Sequence, residues 1–125
     1  MDKRVVVTGL GVCAPNGVNL ETFAQSLKKG TSGITFHQQL ADLNFSCQIA
    51  GIPPLLDTHI KHYFSPLQLK GLNSSGIVYG VIAGTDAWND AGLPIAPKDT
   101  PDWDSDIIFG AGIFGIDKFR DSIYM

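Results

Sequence analysis

Arg4-Val5-Val6-Val7-Thr8-Gly9-Leu10-Gly11-Val12 is the stretch on which the rest of the reading turns. Three consecutive valines lack the apolar-polar alternation of a half-wet strand, so the run has the pattern of a strand covered on both faces. Strands of that kind belong to sheets with helices packed on either side. The run stops at Gly9-Leu10-Gly11, where two residues without a Cβ permit a tight turn or a close backbone approach. Ile107 to Ala111 repeats the buried-type pattern far along the chain.

Between these two runs the signals are helical. After a Pro15-Asn16-Gly17 turn, Asn19 is placed to cap a helix carrying Leu20, Phe23, Ala24 and Leu27 on one stripe, and Lys28-Lys29-Gly30 closes it. Residues 31–64 are less regular, with short extended pieces expected around Ile34 to Phe36 and Phe45 to Ala50. Pro53-Pro54 forbids a long element there. Ser65-Pro66 reads as a cap followed by proline at the first helical position, opening a short helix to about Leu72. The clearest helix runs from about Ser74 to Ala91 and ends at Gly92. Its Gly76, Gly80 and Gly84 recur every four residues and form a groove for a close neighbour. Each costs about 1 kcal/mol of helix propensity against alanine, which tight packing offsets. A final helix is expected to start near Ile116. Strand, helix, helix, strand, helix is an α/β layered pattern, read as one unit over residues 1–125 without an internal boundary.

Only 17% of the 125 residues are charged, while 44% are hydrophobic and 14 are glycine, a thin polar coat for so short a chain. A net charge of −3, with no basic cluster beyond Lys3/Arg4 and Lys28/Lys29, gives no footprint for nucleic acid. The first valines are too few for a signal peptide, and the apolar stretch Gly76 to Gly84 is too short for a membrane span. A cytoplasmic protein with no membrane partner is expected, and its two cysteines give no reason to expect a bridge.

Several motifs are weighed against simpler readings. Gly9-Leu10-Gly11-Val12-Cys13-Ala14 and Gly110-Ala111-Gly112-Ile113-Phe114-Gly115 both match a dinucleotide-binding pattern. Pro15 and Gly17 deny the first motif the helix that would receive a pyrophosphate, and no acid stands between Lys29 and Leu40. The simpler reading is turns in which side chains would collide. His59 and His62 have helical spacing but no third metal ligand beside them, and Pro53-Pro54 argues against a helix there. Cys13 and Cys47 read as small buried hydrophobes, and Asp99, Asp102, Asp104 and Asp106 as a solvated loop. No cofactor and no metal are expected.

The wording of the chain goes further. Arg4 to Val12, then Ala14-Pro15-Asn16-Gly17, Leu27 to Gly30 with Ser32-Gly33-Ile34, Asp90-Ala91-Gly92-Leu93, and Gly110-Ala111-Gly112-Ile113 with Gly115 occur in order. Together they closely resemble the first third of the β-ketoacyl-acyl carrier protein synthases. The resemblance implies a thiolase-like α/β fold with a mixed β-sheet packed by helices, of which residues 1–125 are an incomplete N-terminal half-domain completed by the remainder of its own polypeptide. It implies a homodimer or a ketosynthase-like heterodimer, with acyl carrier protein as partner. The implied activity is decarboxylative Claisen condensation of an acyl thioester with malonyl-acyl carrier protein, in fatty-acid or polyketide synthesis. The family's cysteine nucleophile and its basic partners fall beyond Met125, so no catalytic residue is assigned here. What carries over is an acyl-chain-binding segment, Gly112, Ile113 and Phe114. Phe114 stands where many members have glycine, and Gly71, Asn73 and Ser74 replace a charged stretch. These departures favour, as the alternative, a non-condensing partner subunit resembling a chain-length factor. A nucleotide-binding oxidoreductase fragment is a further alternative.

Overall fold

The computed structural model describes residues 3–72, 74–95, 97, 99–112, 115, 116, 119 and 123. Seven elements are defined among the described residues: α1 (Leu20–Lys29), β1 (Ile34–Phe36), α2 (Gln38–Asp42), β2 (Ile49–Gly51), α3 (Asp57–Tyr63), α4 (Pro66–Gly71) and α5 (Ser75–Asp90). The chain is α/β, and its sheet is the antiparallel pair β1–β2, with Ile34 opposite Gly51 and Phe36 opposite Ile49.

The local signals are realised atom by atom. Asn19 Oδ1 accepts the Thr22 N–H at 2.9 Å, and α1 ends on Gly30 in the left-handed region at φ 66°. Ala14 and Gly17 exchange backbone hydrogen bonds of 2.9 and 3.0 Å around Pro15-Asn16. That turn packs so closely on Gly33 that a Cβ there would meet Asn16 N at 2.5 Å. Ser65 opens α4 in a reciprocal cap with Gln68, as its Ser-Pro pair predicts.

Helix α5 is the element on which the two distant runs meet. A Cβ on Gly9 would stand 2.5 Å from Ala91 N, and one on Gly11 would stand 2.6 Å from Ala87 N. The first run therefore travels from the C-terminal end of α5 toward its N-terminal end. Phe109 lies on the glycine groove, 2.7 Å from where a Gly80 Cβ would be. Asp106 and Ile107 share a groove with Leu93 and Ile95, whereas Gly110 and Ala111 share a cavity with Ser74 and Gly76. The second run thus travels the same way, so the two runs are parallel segments joined through a helix lying antiparallel to both. Ile82, 1% exposed, and Phe64, 6% exposed, are the buried hydrophobic side chains among the described residues.

Three expectations are corrected. Arg4 to Thr8 and Ile107 to Ala111 are not strands: neither belongs to a ladder among the described residues, and Val5 and Ile108 are 92% and 96% exposed. A strand requires a hydrogen-bonded neighbour and, for this composition, a layer on each face, while α5 covers one face only. Pro53-Pro54 does not prevent a helix at the histidines, because both prolines lie before α3 begins. Of the stretch Phe45 to Ala50, only Ile49 and Ala50 enter a strand, where they pair with Phe36 and Thr35. Ile116, Phe119 and Ile123 are helical, in agreement with a last helix near Ile116. The chain exposes 10394 Å², against about 6,500 Å² for a compact monomer of this mass.

Candidate functional site

The glycines of α5 shape the site. Without side chains at Gly80 and Gly84, Phe109 approaches the helix, and a cavity of about 520 Å³ opens at the N-terminal end of α5. Ser74, Tyr79, Phe109, Gly110, Gly115 and Ile116 are among its lining residues. The cavity wall is thus taken up on either side of Gly112, Ile113 and Phe114. Gly112 itself is exposed, with open space where a Cβ would point. Ile113 and Phe114 lie outside the described residues. A second, groove-like space of about 750 Å³ runs between the two extended segments along α5.

The polar end of the first cavity belongs to the helix. Ser74 is 8% exposed and its side chain makes no capping bond. The first backbone bond of α5 is Val78 N–H to Ser74 O at 3.3 Å, and the first turn carries no acidic residue. The amides of Ser75, Gly76 and Ile77 precede that bond, so the positive end of the helix is not offset locally.

A titratable cluster ties three segments together elsewhere on α5. The Tyr63 hydroxyl of α3 donates to Asp86 Oδ1 at 2.7 Å. Burial, then this hydrogen bond and the Asp86 charge, push the Tyr63 phenol up to about 12. Burial first and the Asp86 carboxylate second also raise Cys13 above the ordinary thiol range. A thiol held protonated in this way is the reverse of an activated nucleophile. Cys47 is exposed and not the buried hydrophobe expected, because it stands before β2 in a two-stranded ribbon whose outer residues, such as Phe36 and Ile49, are themselves exposed.

The remaining sequence candidates are occupied with local structure. His59 Nδ1 accepts the Leu56 N–H at 3.2 Å at the start of α3, and the His62 ring meets Tyr63 edge-on at 5.1 Å. Asp102 accepts Ser105 Oγ–H at 2.7 Å and the Asp104 N–H at 3.0 Å, and these bonds hold its carboxyl below the usual range. Among the described residues no group of three or more His, Cys, Asp or Glu could hold a metal, and no helix is long and apolar enough to cross a membrane. Gly9 and Gly11 of the first motif face the C-terminal half of α5, not a helix N-terminus. Sequence reasoning missed Tyr63–Asp86, the buried Ser74, and the bond from Leu10 N–H to Asp90 Oδ2 at 2.9 Å. Only the last had a signal, an acid in the final turn of α5, where the helix dipole disfavours it.

The family described as "Beta-ketoacyl synthase, N-terminal domain" matches residues 2–118. Among curated proteins, 3-oxoacyl-[acyl-carrier-protein] synthase 2 of Vibrio harveyi is 33% identical over 115 residues, covering 92% of this chain and 26% of that protein. 3-Oxoacyl-[acyl-carrier-protein] synthase 1 of Escherichia coli (strain K12) is 32% identical over 126 residues, covering 94% and 30%. The synthase 2 of Staphylococcus aureus (strain COL) is 28% identical over 119 residues, covering 95% and 28%. The chain therefore spans between a quarter and a third of the length of these relatives.

Proposed function

Because the chain belongs to the β-ketoacyl synthase family through its N-terminal domain, we propose that it supplies the opening section of an enzyme that elongates acyl chains. The reaction is decarboxylative Claisen condensation. Malonyl-acyl carrier protein loses CO2, the resulting carbanion attacks the carbonyl of an enzyme-held acyl thioester, and the enzyme thiolate leaves. The observation that carries this reading is the match over residues 2–118, in which separated motifs keep one order along nearly the whole chain. A thiolase-like layered fold gives the exposed runs at Val5 and Ile108 the second layer that their composition calls for. Acyl carrier protein, a second synthase-type subunit and a cytosolic setting complete the reading.

Within it, residues 1–125 contribute scaffold and acyl-pocket wall, not chemistry. Gly112, Ile113 and Phe114 are the proposed acyl-contacting segment, bracketed by Ala111 and Gly115 on the cavity wall. Neither thiol is assigned as nucleophile: burial and the Asp86 carboxylate disfavour the Cys13 thiolate, and among the described residues Cys47 is exposed with its Sγ turned to the Ile49 carbonyl. Incubation of the chain with acyl-acyl carrier protein should leave both unacylated beyond the rate of a free thiol. Faster acylation of either would overturn the assignment. In a protein carrying the whole family domain, Ile113→Phe should shorten the preferred primer, because a packed wall cannot absorb the added ring. An unchanged chain-length profile with normal folding would remove Ile113 from the pocket.

The second reading, a non-condensing partner subunit, is favoured by Phe114 and by the uncharged Gly71, Asn73 and Ser74. The residue at the family's nucleophile position separates the two: cysteine supports condensation, and any other residue supports the partner.

A further inference from the structure

We propose that the cavity at the N-terminal end of α5 has a dedicated polar end, formed by the Ser74 hydroxyl and the first-turn amides, that binds an acceptor oxygen carried by the acyl chain itself. This rests on the reading of that cavity as an acyl site. It adds a substrate class: acyl groups ending in an oxygen function, with a carboxylate the best fit.

Ser74 is the buried polar side chain among the described residues, 8% exposed, and it lines the cavity. No hydrogen bond engages its hydroxyl among those residues, not even the capping bond that a serine at this position ordinarily makes. With no partner among the described residues, the hydroxyl is available to donate to a ligand oxygen that enters the cavity. Ser75 and Gly76 also line the cavity, and their amides are further donors at the same end. They precede the first intrahelical bond, no acid occupies the first turn, and Gly76 has no side chain to block approach. The other walls, Tyr79, Phe109 and Ile116, are suited to an aliphatic body. A chain that is apolar along its length and oxygenated at its far end satisfies both parts. A plain alkyl chain leaves the hydroxyl and amides unpaired, which is the condition under which a site rejects the analogue lacking the polar group.

The test compares hexanoyl- and adipoyl-N-acetylcysteamine, which share six carbons and differ in the terminal carboxylate. Each is titrated into a 15N-labelled protein carrying the whole family domain, with alanine at the family's nucleophile position so that neither thioester is turned over, while the Ser75 and Gly76 amide resonances are followed. The adipoyl thioester should bind at least about tenfold more tightly, the ratio that one charge-assisted hydrogen bond supplies. Ser74→Ala should reduce that preference several-fold without weakening hexanoyl binding, and Ser74→Thr should retain it. Equal affinities with Ser74 in place would overturn the polar end and leave the acyl cavity standing. Binding of neither thioester would overturn the acyl reading and the inference with it. If Ser74→Ala loses helical circular dichroism, the ratio with Ser74 in place together with Ser74→Thr decides.

Discussion

Replacing Gly11 with alanine adds one methyl at the tightest glycine approach among the described residues. The new Cβ would lie 2.6 Å from Ala87 N and 2.9 Å from the Ala83 carbonyl carbon, and closer still to Ala83 O. All three are backbone atoms in the middle of α5, so no rotamer change relieves the clash and the whole extended segment must lift. Overpacking of this kind costs about 1–3 kcal/mol. The same movement draws Leu10 away from Asp90, whose carboxylate accepts its N–H at 2.9 Å. That bond is exposed, so its contribution belongs at the lower end of the range for charged acceptors. Because one displacement causes both losses, they are not summed. The free energy of local opening should fall by about 2 kcal/mol, which is roughly a 30-fold faster amide exchange at Leu10. Gly80→Ala is the contrast. Its Cβ would meet Phe109 Cε1 at 2.7 Å, the end of a side chain that is 61% exposed and free to swing aside. Removing a helical glycine also contributes about 1 kcal/mol to α5. In a protein carrying the whole family domain, hydrogen exchange followed by NMR should therefore show Leu10 accelerated in Gly11→Ala and α5 unchanged or slowed in Gly80→Ala. Wild-type exchange at Leu10 in Gly11→Ala, with α5 destabilised by Gly80→Ala, would refute the distinction between backbone and side-chain neighbours.

Two further outcomes are expected. With 10394 Å² exposed, the chain on its own should associate or precipitate, and a monodisperse 13.4 kDa monomer that unfolds in one sharp step by sedimentation and denaturation would show that it closes its own core. Tyr63 is neutral when folded and its pKa is raised, so its contribution to holding α3 on α5 is fully present below about 10, the ordinary tyrosine value, and is lost as pH rises through about 12. Tyrosinate absorbance should show a late phase ending there that Tyr63→Phe abolishes, and Asp86→Asn should move that phase down while speeding modification of the Cys13 thiol. A titration identical in wild type and Tyr63→Phe would dissociate Tyr63 from the high-pH phase.

Legibility in the sequence followed the range of the interactions. The caps at Asn19 and Ser65, the Gly30 stop and the extent of α5 are decided by residues a few positions apart, so they could be read directly. The glycine groove was also readable, because a four-residue repeat on a helix needs a close neighbour, and Phe109 is that neighbour. The two apolar runs were read correctly as needing cover, yet a strand is made by what lies beside it, and the described residues offer no such partner. Tyr63–Asp86 joins positions 23 apart, and no local pattern announces it. The cavity was legible only in part: the resemblance pointed to the segment Gly112 to Phe114, whose flanking residues Ala111 and Gly115 line the cavity, while the burial of Ser74 is not revealed by a serine in a cap pattern.

The bond between Leu10 and Asp90 spans 80 residues, and that separation has a consequence on the ribosome. At about 5–20 residues per second, roughly 4–16 seconds pass between synthesis of the first partner and synthesis of the second. Throughout that interval Val5, Val6 and Val7 have left or are leaving the exit tunnel with no helix to lie on. The valine segment thus waits, adhesive and uncovered, for a helix still to be translated. The yield of the protein in a cell should depend on how quickly translation reaches α5 and on the chaperones that hold the valines until then.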